Sequence, residues 1–177
     1  MIGAGDAALL SWLAALRQPW LDAVMSGVTW LGSLWLLLPA SVLLTFRRRQ
    51  AGLLTLVALL SASALCHVLK VLIDRARPDL WPSVLPLPPD AAFPSAHAAQ
   101  AMVVAVALCC LLPARWRWRV GGGLILLAGS VGLSRLYLQV HWPSDVFAGW
   151  LLGAGVAILT LRLAKAGRRD RAPQSSS

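Results

Sequence analysis

Glutamate is absent from this 177-residue chain, cysteine occurs only three times, and charged residues make up only 13% of the sequence. A soluble globular domain carries about 25% charged residues, so this chain cannot cover a surface that faces water. Its 58% hydrophobic content and mean hydropathy of +0.70 exclude a disordered chain and indicate that much of its surface faces lipid. The few cysteines lie in apolar runs, which argues against a disulfide framework or a cysteine zinc site.

Five apolar runs predict an all-α fold, a polytopic membrane helix bundle with five transmembrane helices. A spanning helix needs about 20 mostly apolar residues. The predicted spans are Met25–Phe46, Ala51–Leu69, Ala96–Pro113, Val120–Ser134 and Val146–Leu161, of which the fourth is short unless it continues to Val140. Before them, Ala7–Leu16 is too short to span and predicts a short N-terminal interfacial helix. Six spans, with residues 5–17 crossing the membrane, stay as an alternative.

The length fits one unit, so we expect a single integral membrane domain over residues 1–166. Residues 167–177 are polar and predict a disordered cytoplasmic tail. Basic residues mark the cytoplasmic side of a membrane protein. With five spans, three basic clusters fall on one side, and they hold 11 of the 16 Lys and Arg residues: Arg47–Arg49, Arg115–Arg119, and Arg162–Arg171. Topology therefore explains the net charge of +9, and no nucleic-acid partner is expected.

The same helix count places three polar clusters together on the outer side. They are Lys70 to Pro78 after the second span, Phe93 to His97 before the third, and Ser134 to Asp145 between the fourth and fifth. Charged residues at the edge of a membrane helix are costly unless they are paired or serve a site. Because all three clusters meet on one face, the sequence predicts a functional site there.

The chemistry of these clusters suits a phosphate group. Lys70, Arg77 and Arg135 are three cations without a neighbouring glutamate, and arginine offers a planar fork that matches phosphate oxygens. Lys70 and Arg77 are seven residues apart and share a face if the helix continues to Pro78. The N-terminus of the third span, at Ser95, predicts an anion site made by backbone N–H groups.

Two histidines complete a set of groups for phosphoryl transfer. Asp145 follows His141 by one helical turn and can orient its imidazole. One histidine could attack phosphorus as a nucleophile, and the other, His97, could handle the leaving-group proton. We interpret His67 as a packing residue, with a contact to Lys70 as the alternative, and Asp74 and Arg75 as interfacial charges that pair with each other or with lipid headgroups.

The three clusters resemble the three signature motifs of the type 2 phosphatidic acid phosphatase (PAP2) superfamily: KxxxxxxRP, PSGH and SRxxxxxHxxxD. They occur here in order between Lys70 and Asp145, with one departure, since Ala96 stands where the pattern has glycine. The backbone N–H survives that change, although alanine would be strained if a positive φ were required. The apolar composition favours the membrane lipid-phosphate phosphatase branch over the soluble vanadium haloperoxidases.

The resemblance implies a role for each matched residue. His141 would be the nucleophile that forms a phosphohistidine, Asp145 would orient it, and His97 would be the general acid. Lys70, Arg77, Ser95, Ala96 and Arg135 would bind the phosphate. No metal and no cofactor are expected, because the cations would stabilise the charge.

These implications define the expected function: hydrolysis of a lipid phosphomonoester or diphosphate by an enzyme of a bacterial inner (plasma) membrane, with its site facing the periplasm or exterior. The expected substrates are undecaprenyl diphosphate, phosphatidylglycerophosphate or phosphatidic acid. The proline-rich loop from Asp79 to Ala92 lies on the same side and is expected to influence substrate choice. The alternative is a non-catalytic transporter or binder of phosphate or anionic lipid that uses the same cationic pocket. The oligomeric state has no signature in the sequence.

Overall fold

The structure is a computed structural model that describes residues 4–169. Within these residues it contains helices and connecting loops, and no strand. The helices are α1 (Ala4–Ala15), α2 (Pro19–Trp30), α3 (Leu34–Arg47), α4 (Arg49–Ile73), α5 (Ala96–Leu111), α6 (Ala114–Trp116), α7 (Gly122–Tyr137) and α8 (Pro143–Arg169). A π-helical turn, Arg117–Gly121, joins α6 to α7. The predicted all-α class is confirmed.

The first predicted span, Met25–Phe46, is not one continuous helix, so this prediction is wrong. The chain breaks between α2 and α3, which meet at a bend of 43°. Ser33 caps α3 by accepting a hydrogen bond from the Trp35 N–H at 3.2 Å. Gly32 lets the break approach α5 closely, because a Cβ at this position would lie 2.9 Å from the His97 carbonyl oxygen. The break therefore positions the start of α3 beside the polar end of α5.

Three helical stretches in the described part of the chain are long and apolar enough to cross a bilayer, and a fourth results if α2 and α3 form one bent span. The three are Arg49–Ile73, Ala114–Tyr137 and Pro143–Arg168. Helix α5 is apolar, with 16 residues. Helix α8 extends through Arg169, three residues into the predicted tail, and the rest of the tail lies outside the described residues.

Helix α5 lies at the centre of the bundle and packs against α8, α4 and α7. Glycine on α8 permits this close approach, since a Cβ at Gly149 would lie 2.6 Å from the Ser95 carbonyl oxygen. Alanine and valine side chains, among them Ala62, Val103 and Ala157, fill the buried contact. Small side chains thus fix α5 and α8 at the spacing that the polar site requires.

The N-terminal helix α1 packs onto α7 and α8 at the polar end of the bundle. Leu10 on α1 is fully buried, and its carbonyl oxygen accepts a hydrogen bond from Gln139 Nε2 at 3.0 Å. Gln139 is itself buried and has a left-handed backbone with φ of 60°. At 12 residues, α1 is shorter than a spanning helix needs to be.

Chain direction separates the polar site from the basic clusters. Helices α4 and α7 end at the site, whereas α5 and α8 begin there. At the opposite end, Arg48, Arg49 and Arg168 line one shallow cavity together with Leu111, the last residue of α5. The two ends of the bundle therefore differ in chemistry, as the sequence predicts.

Candidate active site

Six of the eight predicted site residues line one cavity of about 210 Å³: Lys70, Arg77, Ala96, His97, Arg135 and His141. They come from four separate parts of the chain: the end of α4, the loop after it, the start of α5, and the region from α7 to α8. The cavity thus brings both histidines and all three cations of the predicted site together.

Asp145 lies behind this cavity rather than in its wall. Its carboxylate is fully buried, and Oδ2 lies 3.6 Å from His141 Nδ1. Pro143 begins α8, which places Asp145 in the first turn, where the helix dipole favours a negative charge. The other nitrogen of the ring, His141 Nε2, lies 3.3 Å from Arg77 Nη1. His141 therefore presents Nε2 to the cations and Nδ1 to the carboxylate.

Ser95 is likewise close to the cavity without lining it. It is the N-cap residue of α5, it is fully buried, and its N–H donates to the Asp145 carbonyl oxygen at 3.0 Å. Its hydroxyl makes no hydrogen bond to any described part of the chain. This backbone bond joins the start of α5 to the start of α8. It therefore fixes the position of the second motif relative to the third.

Each cation has a different set of partners. Arg77 donates from Nη1 to the Val140 carbonyl oxygen at 2.7 Å, and Lys70 donates to the Ala91 carbonyl oxygen. Arg135 is buried, and its Nη1 donates to Thr29 Oγ1 on α2 at 2.8 Å. Its Nε has no hydrogen-bond partner within residues 4–169. Each guanidinium or ammonium group is therefore anchored while it faces the common cavity.

The expectation that Lys70 and Arg77 share a helix face is wrong. Helix α4 ends at Ile73, because Asp74 adopts a left-handed conformation with φ of 43°. Arg77 consequently lies in the loop, and it turns toward the cavity through the bond to Val140 and through two contacts with Asp90.

Asp90 was not singled out from the sequence, yet it bridges two of the cations. Its Oδ1 lies 2.6 Å from Arg77 Nη2, and its Oδ2 lies 3.1 Å from Lys70 Nζ. Partial burial would raise the pKa of this carboxyl, but the hydrogen bonds and ion pairs with Arg77 and Lys70 outweigh it and hold the pKa below its usual range. Asp90 is therefore ionised and neutralises part of the site.

His141 lies in the short connection between α7 and α8 and is 2% exposed. Burial, together with Arg135, Arg77 and Lys70, lowers its pKa well below the usual value for histidine. Both a low-dielectric surrounding and nearby cations disfavour the charged imidazolium, so both lower the pKa of His141. The ring is consequently neutral near pH 7, and a neutral ring has a nitrogen lone pair available.

A second, more apolar cavity of about 360 Å³ adjoins the first. It shares His97 and Arg135 with the first cavity and continues between the α2–α3 break and the loop. Most of its wall is apolar: Trp30, Trp35, Leu85, Pro86, Pro88 and Val140. Of these, Trp35 and Pro88 also line the first cavity. The loop from Asp79 to Ala92 thus contributes to both cavities, and Trp35, which is 86% exposed, stands at their outer edge.

Two other interpretations from the sequence need correction. His67 is exposed on α4 and is not a core packing residue. Arg75 does not pair with Asp74: it forms ion pairs with Asp145 at 2.5 Å and with Asp6 at 3.3 Å. Nothing in the linear sequence around Arg75 predicts these partners, since they are 69 and 70 residues away in the chain.

These features define a helical protein with candidate membrane spans, in which one cavity brings three cations and two imidazoles together. The chain belongs to the PAP2 superfamily, whose model matches residues 51–169. This membership and the names of the relatives confirm the predicted class, a membrane lipid phosphatase of the PAP2 type.

Two relatives match over much of the chain. The undecaprenyl-diphosphatase of Sulfolobus acidocaldarius is 35% identical over 137 residues, which cover 75% of this chain and 65% of that protein. The phosphatidylglycerophosphatase B of Bacillus subtilis is 36% identical over 163 residues, which cover 86% of this chain and 79% of that protein. The chain thus spans about two thirds to four fifths of the length of these relatives.

Two solved structures share the fold. The crystal structure of a transmembrane PAP2-type phosphatidylglycerolphosphate phosphatase from Bacillus subtilis superposes with a TM-score of 0.81 and 33% identity, covering 98% of this chain and 88% of that one. The structure of Aquifex aeolicus LpxE gives a TM-score of 0.80 and 27% identity, covering 92% and 99%. The likeness extends over the whole bundle and is not limited to the motifs.

Proposed function

We propose that this protein hydrolyses the phosphate or diphosphate of a membrane lipid through a phosphohistidine on His141. The observation that carries the proposal is the shared cavity, where both histidines face Lys70, Arg77 and Arg135. His141 Nε2 attacks phosphorus, the bond from phosphorus to the leaving oxygen breaks, and that oxygen takes a proton from His97, whose charged form is favoured by the bound phosphate anion. Water then attacks phosphorus and gives a proton to His97, and the bond to Nε2 breaks, which restores both rings.

The three cations stabilise the charge on the phosphoryl oxygens during both steps. Lys70, Arg77 and Arg135 approach the cavity from different elements, so they can contact different oxygens of one phosphate. The backbone N–H groups of Ala96 and His97, in the first turn of α5, lack partners within their own helix and can donate to the same anion. Ser95 supports this turn through its bond to the Asp145 backbone.

We further propose that the bundle has five spans, with α2 and α3 as one bent span and α5 as a short one. In this arrangement α1 lies at the interface on the side of the site. The basic end, with Arg48, Arg49 and Arg168, then faces the cytoplasm of a bacterial inner membrane, and the site faces the periplasm or exterior. The apolar second cavity holds the first part of the lipid chain, because it adjoins the phosphate cavity beside Trp35.

The names of the relatives suggest undecaprenyl diphosphate and phosphatidylglycerophosphate as candidate substrates, with phosphatidic acid as a third. We expect the protein purified in detergent to release phosphate from at least one of them in the presence of EDTA. A colorimetric phosphate assay on this panel measures the release. No release from any lipid by the wild type, or equal release by wild type and His141→Ala, would contradict the proposed function and favour a transporter or binder.

Asp90 offers a second prediction, because its carboxylate uses two of the cations that a phosphate would need. We expect Asp90→Asn to lower the inhibition constant of inorganic phosphate about three- to tenfold, since the competing anion is removed while half-exposed ion pairs are individually weak. Steady-state inhibition at constant ionic strength measures this constant.

The matched control is Asp79→Asn, which removes the same charge from an exposed position in the same loop, outside the wall of the cavity. We expect it to leave the inhibition constant within about twofold of wild type. A weaker inhibition by phosphate in Asp90→Asn would contradict the prediction and show that Asp90 organises the cations instead of competing with the phosphate.

A further inference from the structure

The buried carboxylate of Asp145 has a strong partner on the side away from the phosphate cavity. Asp145 Oδ2 faces His141 Nδ1 and accepts the Trp142 N–H at 2.9 Å, whereas Oδ1 lies 2.5 Å from Arg75 Nη1. An ionised carboxylate without exposed surface is stable only when a cation or several hydrogen bonds compensate its charge. Arg75 supplies this cation, and no motif position of the superfamily pattern includes it.

Arg75 is itself held at several points. Its Nη1 donates to Ser144 Oγ at 2.8 Å, its Nη2 lies 3.3 Å from Asp6 Oδ2, and its guanidinium stands 5.6 Å above the centre of the Trp142 ring. Its carbonyl oxygen accepts the Ala92 N–H at 2.8 Å. Contacts with α1, α8 and the Trp142 ring thus surround the guanidinium, whereas the bond from Ala92 holds the Arg75 backbone. The side chain does not line the cavity.

We propose that Arg75 is a positioning residue for catalysis that acts on His141 through Asp145. This inference rests on the proposed function, because it assigns a role in the same reaction. Arg75 keeps Asp145 ionised and fixes its carboxylate plane, so that Oδ2 faces Nδ1 and His141 Nε2 points to the cations. The pair with Asp145 is the contact that this role requires, and Asp6 is an outer contact of the guanidinium, where its Oδ2 also accepts a hydrogen bond from Ser144 Oγ at 2.6 Å.

The inference predicts a change in kcat rather than in KM. We expect Arg75→Gln to lower kcat about 10- to 100-fold, by analogy with the loss found when partners that orient metal-binding histidines are removed, with KM within about threefold of wild type. Asp6→Asn removes the outer contact of Arg75 but leaves the pair with Asp145, so we expect its kcat to stay within about threefold. Arg75→Lys retains the charge but lacks the planar fork, so its kcat should lie between those of Arg75→Gln and Asp6→Asn.

A double-mutant cycle separates this role from a purely structural one. If Arg75 acts through Asp145, adding Arg75→Gln to Asp145→Asn should lower kcat by less than a further threefold. If the two residues have independent roles, the losses in kcat of the single variants should multiply in the double variant. p-Nitrophenyl phosphate serves as the substrate, so that the slow variants stay measurable. Thermal unfolding in detergent checks each variant, and if Arg75→Gln does not fold, the comparison of Arg75→Lys with Asp6→Asn replaces it.

Several outcomes would overturn the inference while the proposed function stands. These are a wild-type kcat in Arg75→Gln, equal losses in the Arg75 and Asp6 variants, or multiplicative losses in the cycle, all with an active wild type. If the wild type releases no phosphate from any substrate, the proposed function fails, and this inference fails with it.

Discussion

His141→Ala should lower the rate of phosphate release at least about 10⁴-fold, because it removes the only atom proposed to bond to phosphorus. His141→Gln should be equally inactive, since an amide has a similar reach but no basic nitrogen. Both variants keep the three cations, so they should still bind phosphate. The measurement is single-turnover hydrolysis of a ³²P-labelled lipid phosphate, with an alkaline quench that preserves phosphohistidine.

The wild type should carry label on the protein in this experiment, and the His141 variants should carry none. His67→Ala is the matched control, because His67 is an exposed histidine near the same end of α4 and lies outside the cavity. It should be labelled like the wild type. Label on His141→Ala protein would contradict the assignment of the nucleophile.

The lowered pKa of His141 adds a pH dependence to this prediction. Protonation removes the lone pair of Nε2, so activity is lost as pH falls through the pKa of the folded protein. Because burial and the cations lower that pKa, the acid limb of kcat/KM should lie below pH 6.5 once the ionisation of the substrate is taken into account. An acid limb above pH 6.5 would contradict the neutral ring.

The arrangement of the site could be predicted from the sequence where it depends on helix count and on motif spacing. No predicted span lies between Lys70 and Ser95, and two lie between Ser95 and Arg135, so these regions are expected at one face of the membrane. In the structure the end of α4, the start of α5 and the end of α7 meet at one cavity. The start of α8 at Pro143 also follows from local sequence, since proline suits the first turn of a helix. These features depend on the period and ends of helices, which local residues control.

Features that depend on tertiary contact could not be predicted. Asp90 reaches Arg77 across a proline-rich loop, and the α2–α3 break depends on Gly32 meeting α5. The pair between Arg75 and Asp145 forms only after the bundle is assembled. No periodicity or spacing in the chain indicates such contacts, because each joins segments that are independent in sequence.

His97→Ala should produce the second large effect, and its size should depend on the leaving group. We expect hydrolysis of a lipid phosphomonoester, whose leaving group is an alkoxide, to fall about 10²- to 10⁴-fold, the usual contribution of a general acid. With p-nitrophenyl phosphate the loss should be at least about tenfold smaller, because nitrophenolate leaves without protonation. Parallel kcat/KM measurements on the two substrates give the comparison.

Arg135→Ala is the informative partner for this test, because Arg135 lines the same cavity beside His97. Its guanidinium is proposed to stabilise the phosphoryl oxygens, which carry charge whichever group leaves, so its removal should slow both substrates by similar factors, on the order of 10² to 10³. A leaving-group dependence in His97→Ala together with its absence in Arg135→Ala identifies His97 as the proton donor. Equal losses on both substrates in His97→Ala would instead assign His97, like Arg135, to the binding of phosphate.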